Sequence, residues 1–199
     1  MSPLSQSAFT SALIDCERCV NVAHKLRALG LRSRRARLVA QEISDCGIAV
    51  VDWGVKGYQM GLDEPLIAWC VALPHLVSPI SRIIRTAHRV SVPKFARLAG
   101  TTALASITGI KPPATRRLAI FHEDADEYLD QETDSRRASQ VFDEVELWNV
   151  PPASIAHSTC HVDLLSLFLC FRDQNERQSL ALLRREVLGL WSVQTPQRG

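Results

Sequence analysis

Several features that would fix a protein's class at once are missing from this sequence. The longest strongly apolar stretch, Leu164–Phe171, is far short of the roughly 20 residues that a membrane-spanning helix needs. Met1–Thr10 has no basic region followed by an apolar run, so no secretory signal is expected and the chain reads as cytoplasmic or nuclear, not secreted. No phosphate-binding P-loop, no Gly-x-Gly-x-x-Gly and no Gly-x-Ser-x-Gly elbow is present. Those absences remove the usual sequence routes to nucleotide binding and to a serine hydrolase, and no cofactor is expected. Lysine is scarce, with 4 against 19 arginines. Acid is absent altogether from Pro65 to His122.

With 199 residues, 46% hydrophobic and 22% charged, the chain can bury a core without help from metal or disulfides. Its six cysteines are scattered among helix-like segments, which fits reduced thiols. One domain is expected over 1–199. It comprises a basic helical body (1–122), an acidic segment (123–150) forming a loop or solvated helix, and a C-terminal helical hairpin (151–199). The expected fold class is mainly α, a helical bundle with one or two short β-strands.

Apolar spacing predicts helices over Ser5–Leu29 and Leu31–Ile43, the second with Arg32, Arg34, Arg35 and Arg37 near its start. Ile48–Val51 is a β-branched run between glycines and the best strand candidate, with Leu118–Phe121 a second. Asp63 and Pro65 open a helix that Pro74 stops. Ser78-Pro79 and Ser91-Pro93 predict further helices over Ile80–Val90 and from Val92 to about Leu104. Ala153–Phe171 reads as a buried helix. After a turn at Asp173–Asn175, Leu180, Leu183, Val187, Leu188 and Trp191 mark one face of a last helix, giving an antiparallel hairpin.

Counting charge by segment reveals more than the net +2. Pro65–His122 holds eight bases and no acid; Glu123–Glu146 holds ten acids and only Arg136 and Arg137, a net of −8. On a helix from Ile80, the spacing of Arg82, Arg85 and Arg89 puts all three on one face, and such a stripe repels itself by a few tenths of a kcal/mol per pair. Nucleic acid, an acidic protein, or the chain's own acidic segment would relieve that repulsion.

Ser91-Val-Pro-Lys-Phe-Ala-Arg-Leu-Ala-Gly-Thr-Thr102 resembles the first half of a Lac repressor family helix-turn-helix, with Phe95, Ala96 and Leu98–Gly100 on its first helix and turn. It departs from that family where Ser106 and Gly109 stand at apolar positions of the second helix. Ile48–Lys56 resembles the opening strand of a glutamine amidotransferase domain. Together with Val39–Glu42 it is also similar to the N-terminal region of methenyltetrahydromethanopterin cyclohydrolases. No Gly-rich elbow surrounds a cysteine, and the later Gly-rich segments of the cyclohydrolases are missing, so no catalytic residue carries over. Cys16-x-x-Cys19 with His157-x-x-Cys160-His161 has donors for a tetrahedral zinc site, but buried cysteine packing explains the pair with less, and no metal is expected.

The function expected from these features is a non-enzymatic regulatory or accessory protein. Arg82, Arg85, Arg89, Lys94 and Arg97 would form its basic face, contacting nucleic acid or an acidic protein, with the acidic segment competing for that face. The alternatives are an enzyme with a site near the Asp52–Gly61 loop, and a protein-interaction module using the C-terminal hairpin.

Overall fold

The computed structural model describes residues 1–14, 19–21, 33–46, 50–52, 59–61, 65–86, 92–126, 128, 142–155 and 158–192. The chain divides into two compact units, Met1–Val77 with Arg185–Gly199, and Ser78–Arg184.

In the first unit, α1 (Pro3–Ile14) and α2 (Ser33–Asp45) pack together, burying Ala8, Phe9, Ala12 and Leu13 from one and Val39, Ala40 and Ile43 from the other. Enclosing a side chain the size of Phe9, Leu13 or Ile43 is worth about 1.5–3 kcal/mol each. The α1 start is tied to α2 through Glu42, whose carboxylate accepts hydrogen bonds from Ser2 Oγ (2.7 Å), Ser5 Oγ (2.5 Å) and the Ser2 amide. Burial alone would raise the Glu42 pKa. The bonds from Ser5 and Ser2 and the nearby N-terminal ammonium outweigh it and hold the carboxyl below its ordinary value. Three short strands, β1 (Cys19–Asn21), β2 (Val50–Asp52) and β3 (Gln59–Gly61), form an antiparallel sheet in the order β1-β3-β2. The helix α3 (Pro65–Ala72) buries Ala68, Trp69 and Ala72.

The second unit is built on a four-stranded mixed sheet. Its strands are β4 (Ile80–Arg85), β5 (Arg97–Leu98), β6 (Arg116–Phe121) and β7 (Asp143–Trp148), in the order β4-β7-β6-β5. β7 runs antiparallel to β4 and parallel to β6. The parallel pairing requires a crossover between Phe121 and Asp143, and Ala125 and Tyr128 of that connection are buried against the sheet. Strand alternation sends Leu118, Ile120 and Val145 to this face, where they cluster with Ala96, Ala125 and Tyr128. Arg117, Glu144, Glu146 and Trp148 alternate to the other face. The helix α4 (Gly100–Thr108) packs against β6 and against α6 (Leu164–Asp173). A short helix, α5 (Pro152–Ile155), follows β7.

Two helices stand in the C-terminal segment, α6 (Leu164–Asp173) and α7 (Arg177–Ser192), joined by a short turn. Asp163 caps α6 by accepting the Ser166 amide at 2.7 Å. The helix ends at a turn in which Asn175 takes a left-handed φ of 58° and Glu176 N donates to Phe171 O at 2.9 Å. The last helix, α7 (Arg177–Ser192), buries Leu183 and Val187. Among the described residues, no helix is long and apolar enough to cross a membrane.

The architecture is α/β, which corrects the expected mainly-α helical bundle. Several segments account for the difference. Cys19–Asn21, inside the expected Ser5–Leu29 helix, form β1, and the single helix expected over Ala153–Phe171 is two, Pro152–Ile155 and Leu164–Asp173, with His161–Asp163 non-helical between them. Residues 80–85, expected as the start of a helix, form β4. In Val92–Leu104, also expected as one helix, Lys94 and Phe95 lie in a turn and Arg97–Leu98 pair with Ala119 and Leu118. Helix starts only at Gly100, after an extended Ala99 (φ −133°, ψ 176°), so the helix-turn-helix is not formed. Finally, the end of the acidic segment is neither loop nor solvated helix. Asp143–Glu146 belong to an interior strand, with Asp143 and Glu146 fully buried.

Candidate functional site

The opposite charges of neighbouring segments meet inside the second unit, strand against strand. In the β6–β7 ladder Arg116 lies beside Asp143 and Arg117 beside Glu144, while across the β4–β7 ladder Arg85 faces Glu144. Arg116 and Arg117 are successive residues and point to opposite faces, so each face receives one pair. Arg116 grips the buried Asp143 with both arms of its fork, Nε to Oδ1 at 3.0 Å and Nη2 to Oδ2 at 2.5 Å.

Arg117 is the hub of the other face. Its Nε and Nη2 donate to Glu144 Oε2 at 3.0 and 2.7 Å, and its Nη1 donates to Gln174 Oε1 at 3.2 Å. The same Nη1 lies 3.7 Å from Glu146 Oε1 and 3.8 Å from Glu176 Oε1. Gly100 makes this reach feasible. Its φ is +50°, and a Cβ there would fall 2.4 Å from Arg117 Cδ. Burial pulls the Arg117 pKa down, but the hydrogen bond to Glu144 and the charges of Glu146, Glu144 and Glu176 raise it overall. Glu144 is held below its ordinary value, because its contacts with Arg117 and Arg85 outweigh burial.

Glu146 behaves differently. It is completely enclosed; Oε2 accepts from Trp148 Nε1 at 3.0 Å, and Oε1 has no hydrogen-bond partner. Burial pushes its pKa up to about 7, against the pull of Trp148 and Arg117 and with the help of Glu176 and Glu144. A pKa near neutrality suits general acid–base work, but a carboxyl with no exposed surface cannot meet a substrate. The Cys170 thiol is also pushed up by burial, against the hydrogen bond that Ser78 Oγ donates to its sulfur at 3.5 Å, and the upward shift disfavours the reactive thiolate.

The residues expected to form one basic face are therefore spread out. Arg82 and Arg85 lie on β4 three positions apart, hence on opposite faces of the strand, and both are exposed. Arg85 is paired with Glu144 at 3.3 Å and stacks over Phe142, yet its side chain remains 72% exposed. Lys94 is exposed in its turn. Arg97 is spent on structure, donating to the carbonyls of Lys94 and Ala96 (2.8 Å each) and of Ser158 (3.2 Å). Arg89 lies outside the described residues, as do Arg32, most of the Asp52–Gly61 loop and two of the four main zinc candidates, Cys16 and His157. Arg34, Arg35 and Arg37 lie on α2, all exposed. Cys160 is exposed, and among the described residues no group of three or more His, Cys, Asp or Glu is arranged to hold a metal.

The network rests on Arg116, Arg117, Glu144 and Glu146, none of which the sequence expectations name as site residues. The alternation of acid and apolar residues in Glu144-Val145-Glu146-Leu147 was the available signal for a half-polar strand. No family model, no curated protein and no solved structure matches this chain.

Proposed function

We propose that this chain is a non-enzymatic accessory protein that binds an anionic macromolecule on the outer edge of its four-stranded sheet. The observation that carries this reading is what remains of the basic stretch beside the ion pairs and hydrogen bonds formed among the described residues. Arg116, Arg117 and Arg97 are consumed within the unit, whereas Arg82 has no ion pair among the described residues and Arg85 is mostly exposed. Two arginines held on a strand, with Lys94 exposed nearby in sequence, supply long-range attraction and forked donors for phosphate or carboxylate. The buried carboxylates support the non-enzymatic half of the proposal, since neither Glu146 nor Asp143 has surface to offer a substrate.

The acidic segment keeps a regulatory role here in a narrower form. Asp143, Glu144 and Glu146 are fixed in the sheet, so competition for the edge falls to the seven acids that precede β7 in the sequence, of which Asp130, Glu132 and Asp134 are the ones nearest to it. Replacing those three by their amides should tighten binding. The defining experiment uses a labelled single-stranded oligonucleotide and labelled poly-glutamate as polyanion probes. Affinity for at least one should fall steeply between about 50 and 200 mM salt and weaken in the Arg82→Ala/Arg85→Ala protein. No salt-dependent binding of either probe, or affinity unchanged by the double substitution, would refute the proposal.

A further inference from the structure

The two edges of the sheet are finished differently. At the β5 edge the chain covers itself: Leu98 N donates to Cys160 O at 2.8 Å and Val162 N to Leu98 O at 2.9 Å, forming a bridge with His161. At the other edge β4 pairs only with β7, and among the described residues no strand or bridge lies beyond it. Unpaired edges are sites of strand addition, and proteins that do not use them usually cover or distort them. Resting on the reading that this edge binds an anion, we infer that its partner is an acidic polypeptide that adds to β4 in extended form as a fifth strand.

Main-chain and side-chain geometry both favour this. Thr86 N donates inward to Asp143 O at 3.0 Å, so the alternation of an antiparallel ladder turns the amide and carbonyl groups of Ile83 and Arg85 outward. Ile83 is 41% exposed, and Ser81, Arg82 and Arg85 are exposed with it. Arg82 and Arg85 flank the two isoleucines on opposite faces. The complementary strand therefore carries two carboxylates three residues apart, with two apolar residues between them. β7 already shows half of that match on the inner side, where Glu144 faces Arg85 and Val145 faces Ile84. Glu144 takes only one donor from Arg85, at 3.3 Å, and the guanidinium has four more. A second copy of β4 is a poor partner, since pairing the strand with itself places arginine near arginine. Nucleic acid would use the arginines but leave the outward main-chain groups unpaired.

The test uses the full-length protein and three labelled probes. The first is an eight-residue peptide with two glutamates separated by Val-Ile at its centre. The second is the same peptide with Pro replacing the Ile, whose amide faces β4, and the third is a 12-nucleotide single strand of DNA. The first peptide should bind, the Pro peptide should bind at least tenfold more weakly because proline removes a ladder donor, and Arg82→Glu should weaken the first peptide about fivefold or more. Arg82→Gln provides a milder variant if the reversal disturbs folding, which circular dichroism would report. Equal binding of the two peptides would overturn strand addition. Binding of the DNA alone would overturn the polypeptide partner while leaving the anion-binding edge intact; binding of none would remove both.

Discussion

Replacing Glu146 by Gln should flatten the protein's stability profile between about pH 5 and pH 8. The fold raises this carboxyl from 4.5 to about 7, so the native state holds its proton more tightly than the unfolded chain does. In the wild type, stability is unpenalised below pH 4.5, declines as pH rises through 7, and stays lowered above it. At about 1.4 kcal/mol per pH unit, the displacement is worth about 3 kcal/mol. With a urea dependence of about 2 kcal/mol per molar, that is a midpoint shift of roughly 1.5 M. Asp163 is also raised by burial and contributes a decline of the same sign, but it is present in both proteins, so the difference between them isolates Glu146. Glu144 works in a separate window. Its lowered pKa stabilises the fold above its ordinary value, and that contribution is lost as pH falls below about 4.5. The assay is the urea concentration at which amides of Asp143–Trp148 lose protection from hydrogen exchange, measured at pH 5 and pH 8. If the two proteins lose the same amount between those values, Glu146 is ionised in the native state and the reasoning fails.

Gly100→Ala should lower the thermal midpoint far more than Gly109→Ala. Both glycines have positive φ, but a Cβ at Gly100 meets Arg117 at 2.4 Å whereas at Gly109 nothing lies within 4 Å, so about 1 kcal/mol is expected at Gly109 and 2–3 at Gly100. Calorimetry that finds equal losses would show that Arg117 moves aside freely. Arg117→Met should cost about 3–5 kcal/mol in chemical denaturation, because it strands Glu144 in a half-buried site, while Arg85→Ala should cost less than about 1 kcal/mol, its side chain being 72% exposed. Comparable losses would place the network's weight elsewhere. Asp163→Ala should cost about 1 kcal/mol through the lost cap on α6, read as faster exchange of the Ser166 amide; unchanged exchange would refute the capping role.

How far the sequence revealed the fold depended on whether one period stood alone. In α7, apolar residues recur only at helical spacing, and the helix is legible. In β6, Leu118-Ala119-Ile120-Phe121 is a compact apolar run that reads as a strand and forms one. At Ile80–Arg85 two signals compete. The spacing of Arg82, Arg85 and Arg89 matches a helix face, while Ile83, Ile84 and Thr86 are β-branched and suit a pleated ladder. Tertiary pairing with β7 decides the contest, and no local window contains β7, which lies some 60 positions further along the chain. The helix-turn-helix resemblance failed for a related reason. Leu98 hydrogen-bonds to Cys160 and Val162, a long-range bridge that pulls Arg97–Leu98 into the sheet before helix can begin.

The charge division was legible as a count and misleading as a surface. A run of bases followed by a run of acids suggests a basic face with an acidic competitor only if both are solvated. Here the two runs supply neighbouring strands. Their charges cancel in pairs across the ladder, with Arg116 on Asp143 and with Arg117 and Arg85 on Glu144. That arrangement also accounts for the surplus. An interior strand has a neighbour on each side, and β7 meets β4 on one side and β6 on the other. Among the described residues β4 has only one, so Arg85 finds Glu144 there while Arg82, opposite Leu147, finds no carboxylate. The exposed charge of Arg85 beside Glu144, and of Arg82, which has no ion pair among the described residues, follows from a basic strand standing at the sheet's edge, and the proposed anionic partner is sought there.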